Sequence, residues 1–209
     1  MNKKGNKLVE ELVSEGYLRT PWIIEAFKKI DRADFVPENL RGEAYGNYPL
    51  PLGFGQTISQ PLTVAFMLEL LQPKPGEKIL DVGSGSGWQA ALLAFIVGKK
   101  GRIVALEIIP ELSDMTATNV SKYGFVENGT VCAVLADGSK DFPEEAPFDK
   151  IIVAASGESL PEAWKKQLKI GGRIVTPIWN SIFVFEKVSE NRFEKKEYPG
   201  FAFVPLIKE

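Results

Sequence analysis

The sequence predicts an α/β fold. A doubly wound, mostly parallel sheet carries helices on both faces, behind a helical extension and ahead of a terminal antiparallel hairpin. Three observations predict it. Between residues 78 and 178, short β-patterned runs alternate with helical patterns, the signature of a sheet covered on both sides. The first β run passes into its helix through a turn holding three glycines, Gly83, Gly85 and Gly87. After residue 180 the helical patterns stop and short apolar runs follow at tight spacing.

Each element has its own reason. Leu8, Val9, Leu12 and Val13 form an apolar stripe at helical spacing. Thr20-Pro21 reads as an N-cap with proline at the first helical position, ahead of Ile23, Ile24, Phe27 and Ile30. Residues 37–61 hold four prolines and four glycines and are expected to be irregular; a loop of that length is commonly functional. A helix is expected from Pro61, with Leu62, Phe66 and Leu70 on one face. The breaker Pro73-Lys74-Pro75-Gly76 separates a helical extension, 1–72, from a core, 73–209, the two packing as one compact domain. In the core, strands are expected at 78–82, 102–107, 130–135, 150–154 and 172–178, and helices at 88–97, 111–123 and 161–168. Residues 182–188, 193–197 and 201–207 complete the strands.

Composition narrows the chemistry. The chain has 209 residues, a net charge of −2, one cysteine (Cys132) and no histidine. Histidine-dependent triads, Cys-His pairs and histidine-ligated metals are excluded, and cysteine-rich zinc sites fail too; no metal is expected. The charge offers no basic surface for nucleic acid. The most apolar long stretch, 90–97, is too short to span a bilayer. No basic start followed by an apolar signal segment appears, so a cytoplasmic location is expected.

The glycine turn reads Asp81-Val82-Gly83-Ser84-Gly85-Ser86-Gly87. Its third glycine comes one residue earlier than in the dinucleotide pattern, and bulky Trp88 stands where that pattern wants glycine. With Asp81 at the strand end, the spacing resembles the cofactor motif of class I methyltransferases, whose fold is Rossmann-like. That resemblance implies S-adenosylmethionine as methyl donor, with Gly83, Gly85 and Gly87 near it and Asp81 helping to hold its amino group. Glu107, 20 residues beyond Gly87 and at the end of the second strand, is placed to accept hydrogen bonds from ribose hydroxyls. Asp137-Gly138 follows the third strand, where side chain and backbone could meet the adenine edge. A nicotinamide oxidoreductase is disfavoured by the glycine spacing. A non-catalytic binding module sits poorly with Asp81, Glu107, Asp137 and Ser59 occurring together.

Upstream, the run from Ala44 through Gly53-Phe54-Gly55-Gln56-Thr57-Ile58-Ser59-Gln60-Pro61 closely resembles the signature of the protein-L-isoaspartate O-methyltransferases. Phe35-Val36-Pro37, Ala146-Pro147-Phe148-Asp149, Gly171-Gly172-Arg173 and Phe203-Val204-Pro205-Leu206 extend the likeness over nearly the whole chain. The resemblance implies methyl transfer to the free α-carboxylate of isoaspartyl residues in damaged peptides and proteins, a repair activity with S-adenosylhomocysteine as product, in a monomer. It implies Ser59 as the catalytic-site serine, orienting the acceptor, with Gln56, Thr57, Ile58 and Ser59 along the donor. Tyr45 and Asn47 are candidates for the peptide groove; Trp88 and Trp179 are read as packing groups. A carboxylate with a pKa of about 4 is already ionised at neutral pH and needs no base. No lysine or arginine lies between Gly42 and Gln72, which spares such a nucleophile a close ion pair. The chain departs from the family pattern at Leu62-Thr63, Ala136, residues 154–159 with Glu158, and Trp179. These leave open a relative of the same fold with another carboxylate or small-molecule acceptor.

Overall fold

The structure, a computed structural model, describes residues 3–208. Its centre is a seven-stranded sheet in the order β5-β4-β3-β6-β7-β8-β9. The strands are β3 (Lys78–Val82), β4 (Arg102–Glu107), β5 (Val131–Leu135), β6 (Phe148–Val153), β7 (Leu168–Ile178), β8 (Ser181–Ser189) and β9 (Arg192–Pro199). The first five run parallel; β8 and β9 are antiparallel additions. The order reverses between β3 and β6, so the chain leaves a crevice at the C-terminal ends of those strands.

Alternation along the strands divides the core in two. Ile79, Ile103, Ala105, Ile152 and Val175 face one side; Leu80, Val82, Val104, Leu106, Ile151 and Val153 face the other. Side chains of successive strand residues point to opposite faces, so buried parallel strands are apolar throughout. The first face receives α1 (Lys3–Ser14), α2 (Pro21–Lys29), α3 (Pro61–Leu71), α4 (Trp88–Val97) and α5 (Pro110–Ser121). The second is covered by the short α6 (Glu162–Gln167), whose Trp164 is buried, and by Phe142 from the segment before β6 and Leu160 from the segment after it. Helix α4 is buried on nearly all sides, as a helix without a polar stripe must be.

The extension shares this core: Leu8, Leu12, Ile23 and Phe27 belong to the same apolar cluster as α3 and α4. One polar tie reinforces it. Glu69 of α3, buried, accepts the backbone N–H of Arg19 and Thr20, each at 2.8 Å, and the Thr20 hydroxyl at 2.7 Å. Thr20 does precede Pro21 at the start of α2, but its hydroxyl does not cap that helix. The carboxylate of another helix takes over, and a negative charge there suits the positive end of α2.

Two segments differ from the sequence expectation. Within residues 37–61 lies a small hairpin, β1 (Leu50–Gly53) and β2 (Gln56–Ile58). Residues 201–207 form no strand. They make a strap across the ends of the parallel strands, held by one isolated bridge between Ser156 and Pro205. Phe201 and Phe203 pack onto the main apolar cluster, and burial of those alternate side chains gives the segment its strand-like pattern.

The glycine turn is stitched to α5. The Thr116 hydroxyl donates to the Gly85 carbonyl (2.9 Å), so the 3.0 Å contact between the two hydroxyls must be Ser84 donating to Thr116. Asn119 donates to the Ser86 carbonyl at 2.9 Å. At Gly87, φ is +84° and an added Cβ would lie 3.0 Å from Val120 and 3.1 Å from the Thr116 backbone. Gly87→Ala is therefore expected to cost about 2–4 kcal/mol from strain and overpacking together, read as a lower midpoint in chemical denaturation. A midpoint within error of the unsubstituted chain would show that α5 yields easily.

Candidate active site

The C-terminal ends of β3, β4 and β6 open into a cleft. Gln56 and Thr57 of β2 roof it, Gly83 and Gly85 form one wall, and Glu107 and Gly138 another. The strap closes it through Val204 and Leu206. The hairpin rests on the glycine turn, with Leu52 meeting the position a Gly85 Cβ would take. Sequence reasoning assigned Gln56, Thr57, Gly83, Gly85, Glu107 and Gly138 to the site from the turn, the strand ends and the hairpin run; it gave no site role to the strap or to Ala154, which also line the cleft.

Glu107 is 6% exposed. One oxygen accepts the Gly85 N–H (2.9 Å); the other accepts the N–H groups of Ile108 (2.9 Å) and Ile109 (3.1 Å). The carboxylate thus sets the glycine turn against the β4 end and keeps acceptor capacity on the cleft side, since two carboxylate oxygens offer about four lone pairs. Asp81 lies deeper, fully buried. Its Oδ1 accepts from the Gln89 amide at 2.7 Å, while Oδ2 has no partner among the described residues. Burial, first, pushes its pKa up to about 7; Gln89 opposes this and the nearby Glu107 charge adds to it. An orphaned buried acceptor is costly and is where a donor-bearing ligand group would be satisfied. Gln89 was missed in the sequence, though a lone glutamine within the apolar run 88–97 was its signal.

Asp137 behaves differently from expectation. Its carboxylate accepts from the backbone N–H (2.9 Å) and hydroxyl (2.7 Å) of Ser139, and sits 3.5 Å from Lys140. It shapes its own turn, and its neighbours Ala136 and Gly138 line the cleft instead. Gly138 cannot be otherwise: a Cβ would come 2.6 Å from Val82. Gly87 likewise serves helix packing and does not line the cleft.

A second cavity adjoins the first and shares Thr57 and Ala154 with it. Ser59, Gln60, Thr63 and Phe203 line it, and none of its walls carries an ionisable side chain. The residue before α3 is Gln60, not Ser59, and no side chain caps that helix, so the Ser59 hydroxyl has no structural employment there. Ile58 and Ser59 also reach a narrow space beside the glycine turn. Tyr45 and Asn47 do not line this cavity: the Tyr45 hydroxyl donates to Asp31 (2.8 Å) and Asn47 accepts the Leu62 N–H (3.0 Å).

A cation does support this wall, from outside the segment that lacks one. Arg32, 2% exposed, donates to the carbonyls of Ala44 (2.8 Å), Gly46 (3.2 Å), Tyr48 (3.1 Å) and Ser59 (3.1 Å), and its guanidinium lies 5.4 Å from the Trp88 ring centroid. Burial pushes its pKa down to about 10, so it stays charged at neutral pH. All four bonds go to backbone, which leaves no sequence pattern that could have announced it.

Residues 2–209 match the family model for protein-L-isoaspartate (D-aspartate) O-methyltransferase. The chain belongs to that family. It is 44% identical over 207 residues to a protein-L-isoaspartate O-methyltransferase of Methanopyrus kandleri, covering 97% of this chain and 91% of the relative. A namesake from Ignicoccus hospitalis is 42% identical, with both chains covered fully. Among solved structures, one of a protein-L-isoaspartate O-methyltransferase superposes with a TM-score of 0.86 at 28% identity, covering 96% of this chain and 65% of that one. A Plasmodium falciparum chain in complex with S-adenosyl-L-homocysteine gives the same TM-score at 24% identity, with both chains covered fully, and shares the fold.

Within the methyltransferase family, this chain's departures fall into distinct places. Ala136 stays at the cleft wall, and Thr63 at the second cavity. Trp88 is buried against Phe27 with ring centroids 5.5 Å apart, as a packing group should be. Trp179 is no packing group: it is 66% exposed, at the turn between β7 and β8.

Proposed function

We propose that this protein transfers a methyl group from S-adenosylmethionine to the free α-carboxylate of L-isoaspartyl residues in damaged proteins and peptides, as a cytoplasmic repair enzyme. The observation that carries the reading is the pair of adjoining cavities. One is lined by the Glu107 carboxylate; the other is uncharged and hydroxyl-lined, and the two meet at Thr57 and Ala154, while the partnerless Asp81 oxygen lies buried behind the Val82-Gly83 wall of the first. Residues 73–209 act as the donor-binding core, and residues 1–72 bring the acceptor wall to it.

The residues suit the donor. Glu107 has acceptor capacity for ribose hydroxyls, and Asp81 for an ammonium group, directly or through water; Ala136 and Gly138 offer apolar and backbone surface to a base. When bound, S-adenosylmethionine supplies an electrophilic methyl group on a sulfonium, which an ionised carboxylate oxygen can take without a base. The chain's own task is alignment and exclusion of water. Ser59 orients the acceptor carboxylate through its hydroxyl, and the lack of a cation in the cavity leaves that oxygen nucleophilic. The strap residues Val204 and Leu206 cover the donor side.

Labelled donor offered with two peptides, differing only in an isoaspartyl or aspartyl linkage, tests this. Base-labile label on the isoaspartyl peptide alone is expected. Label on neither, with donor binding intact, would move the assignment to another carboxylate acceptor. Ser59→Ala is expected to lower kcat/KM for the isoaspartyl peptide about 10- to 100-fold, the worth of one hydrogen bond to a charged group. Unchanged steady-state kinetics would remove the serine from the site.

A further inference from the structure

Two hairpins reach the edge of the sheet where the cavities open, and both break the same rule of turn chemistry. Gly53 pairs with Gln56 and Ile178 with Ser181, so each hairpin has a two-residue loop: Phe54-Gly55 and Trp179-Asn180. The first residue of each loop is left-handed, with φ of +55° at Phe54 and +52° at Trp179. Tight hairpins give that position to glycine, asparagine or aspartate, and a bulky aromatic there is a genuine outlier. Among the described residues only one other non-glycine, Gln72, has positive φ. Neither aromatic is used for packing: Phe54 is 56% and Trp179 66% exposed.

The backbone holds Trp179 firmly. Its N–H donates to the Gly157 carbonyl (3.1 Å), and the Ser156 hydroxyl donates to its carbonyl (3.0 Å). The next carbonyl, of Asn180, accepts the N–H groups of Gly200 (3.0 Å) and Phe201 (3.1 Å), where the strap begins. That strap continues into Ala202, Phe203 and Val204, one wall of the uncharged cavity; the Phe54 hairpin continues into Thr57, Ser59 and Gln60, another. Phe54 therefore stands on the hairpin that leads into one wall of the acceptor cavity, and Trp179 on the turn that anchors the strap forming another. Backbone strain held in place by its surroundings is characteristic of ligand clamps.

We propose that Phe54 and Trp179 form a two-point grip on the acceptor polypeptide, taking apolar side chains on either side of the reacting residue. This rests on the function proposed above and deepens it: the preferred acceptor is an apolar-flanked stretch of chain, of the kind that unfolding exposes. An internal residue seated in the cavity must have its chain leave in two directions, past the Phe54 hairpin at one wall and past the Trp179 turn that anchors the strap at another.

The experiment uses two isoaspartyl peptides of equal length, one flanked by glycines and one by leucine and tyrosine. The full chain is expected to favour the apolar-flanked peptide about tenfold or more in kcat/KM, mainly through KM, the size of an interfacial aromatic anchor. Trp179→Gly and Phe54→Asn put turn-compatible residues at the left-handed positions, so thermal midpoints are expected to stay level or rise. Each should shrink the preference, and the double variant should abolish it. Equal use of both peptides by the unsubstituted chain overturns the inference and leaves the function standing. So does a preference that survives in the double variant, or an equal loss on both peptides. Methylation of neither peptide by the unsubstituted chain would instead sink the function reading, and this inference with it.

Discussion

Arg32→Met is expected to lower the thermal midpoint by roughly 5–15 °C, from a loss of about 2–4 kcal/mol in a chain of this size. The guanidinium is buried and has no carboxylate partner among the described residues; four backbone carbonyls, three from the 44–48 loop and one from Ser59, take its two NH2 groups instead, and Nε has no partner. Methionine fills similar space but leaves those acceptors unpaired, each worth about 1–3 kcal/mol if still buried. Relief from burying a cation offsets part of that loss. Arg32→Lys keeps the charge and should recover little, because an ammonium has three donors and no planar face for Trp88. Both variants should lose peptide turnover at temperatures where they remain folded, since the Ser59 carbonyl and the 44–48 loop lose their common anchor. Thermal melts and turnover at 20 °C or so check this. A methionine variant with an unchanged midpoint would mean that water replaces the guanidinium.

Asp81→Asn is expected to weaken donor binding at pH 8 by about 10- to 100-fold, the loss of one charge-assisted hydrogen bond, and to erase its pH dependence. In the free protein Asp81 has its pKa raised from 3.8 to about 7 by burial. Below that value the folded protein holds a proton there that must leave before a carboxylate can meet an ammonium group. Donor affinity should therefore rise about tenfold per pH unit up to about pH 7 and level off above it. Gln89, which faces one oxygen, does not titrate, and the nearby Glu107 carboxylate opposes ionisation of Asp81. Stability of the ligand-free protein runs the other way. Between pH 3.8 and about 7 the unfolded chain has lost the proton that the folded one keeps, so stability falls as pH rises and is flat above. The asparagine variant lacks that slope and should be more stable at pH 8, on the order of 1–4 kcal/mol. Calorimetric titration from pH 5.5 to 8.5, with melts at the same values, measures both. Donor affinity independent of pH in the unsubstituted chain would place Asp81 outside the donor site.

Much was legible before any coordinates. Strands at 78–82 and 102–107 and the helix at 88–97 follow from unbroken apolar runs between turn residues, because a parallel strand or a central helix is buried all round and tolerates little else. Asp81, Glu107 and the glycines stood out because a strand-to-helix turn at a ligand edge needs small residues and acids at set places. The hairpin at 50–58 was hidden by its prolines and glycines. The strap at 201–207 looked like a strand because aromatic burial against a cluster of side chains yields the same alternation as burial against a sheet.

The sequence alone determined the order of elements, the apolar faces and the acids at the strand ends, since these depend on local periodicity and on each residue's own chemistry. Only the tertiary structure decided that Asp137 turns into its own loop, that Arg32 reaches the Ser59 wall, that Gln89 meets Asp81, and that Phe54 and Trp179 stand exposed in left-handed turns. Those facts arise from contacts between segments distant in the chain and from backbone angles imposed by pairing. Neither leaves a period or a spacing in a string of residues.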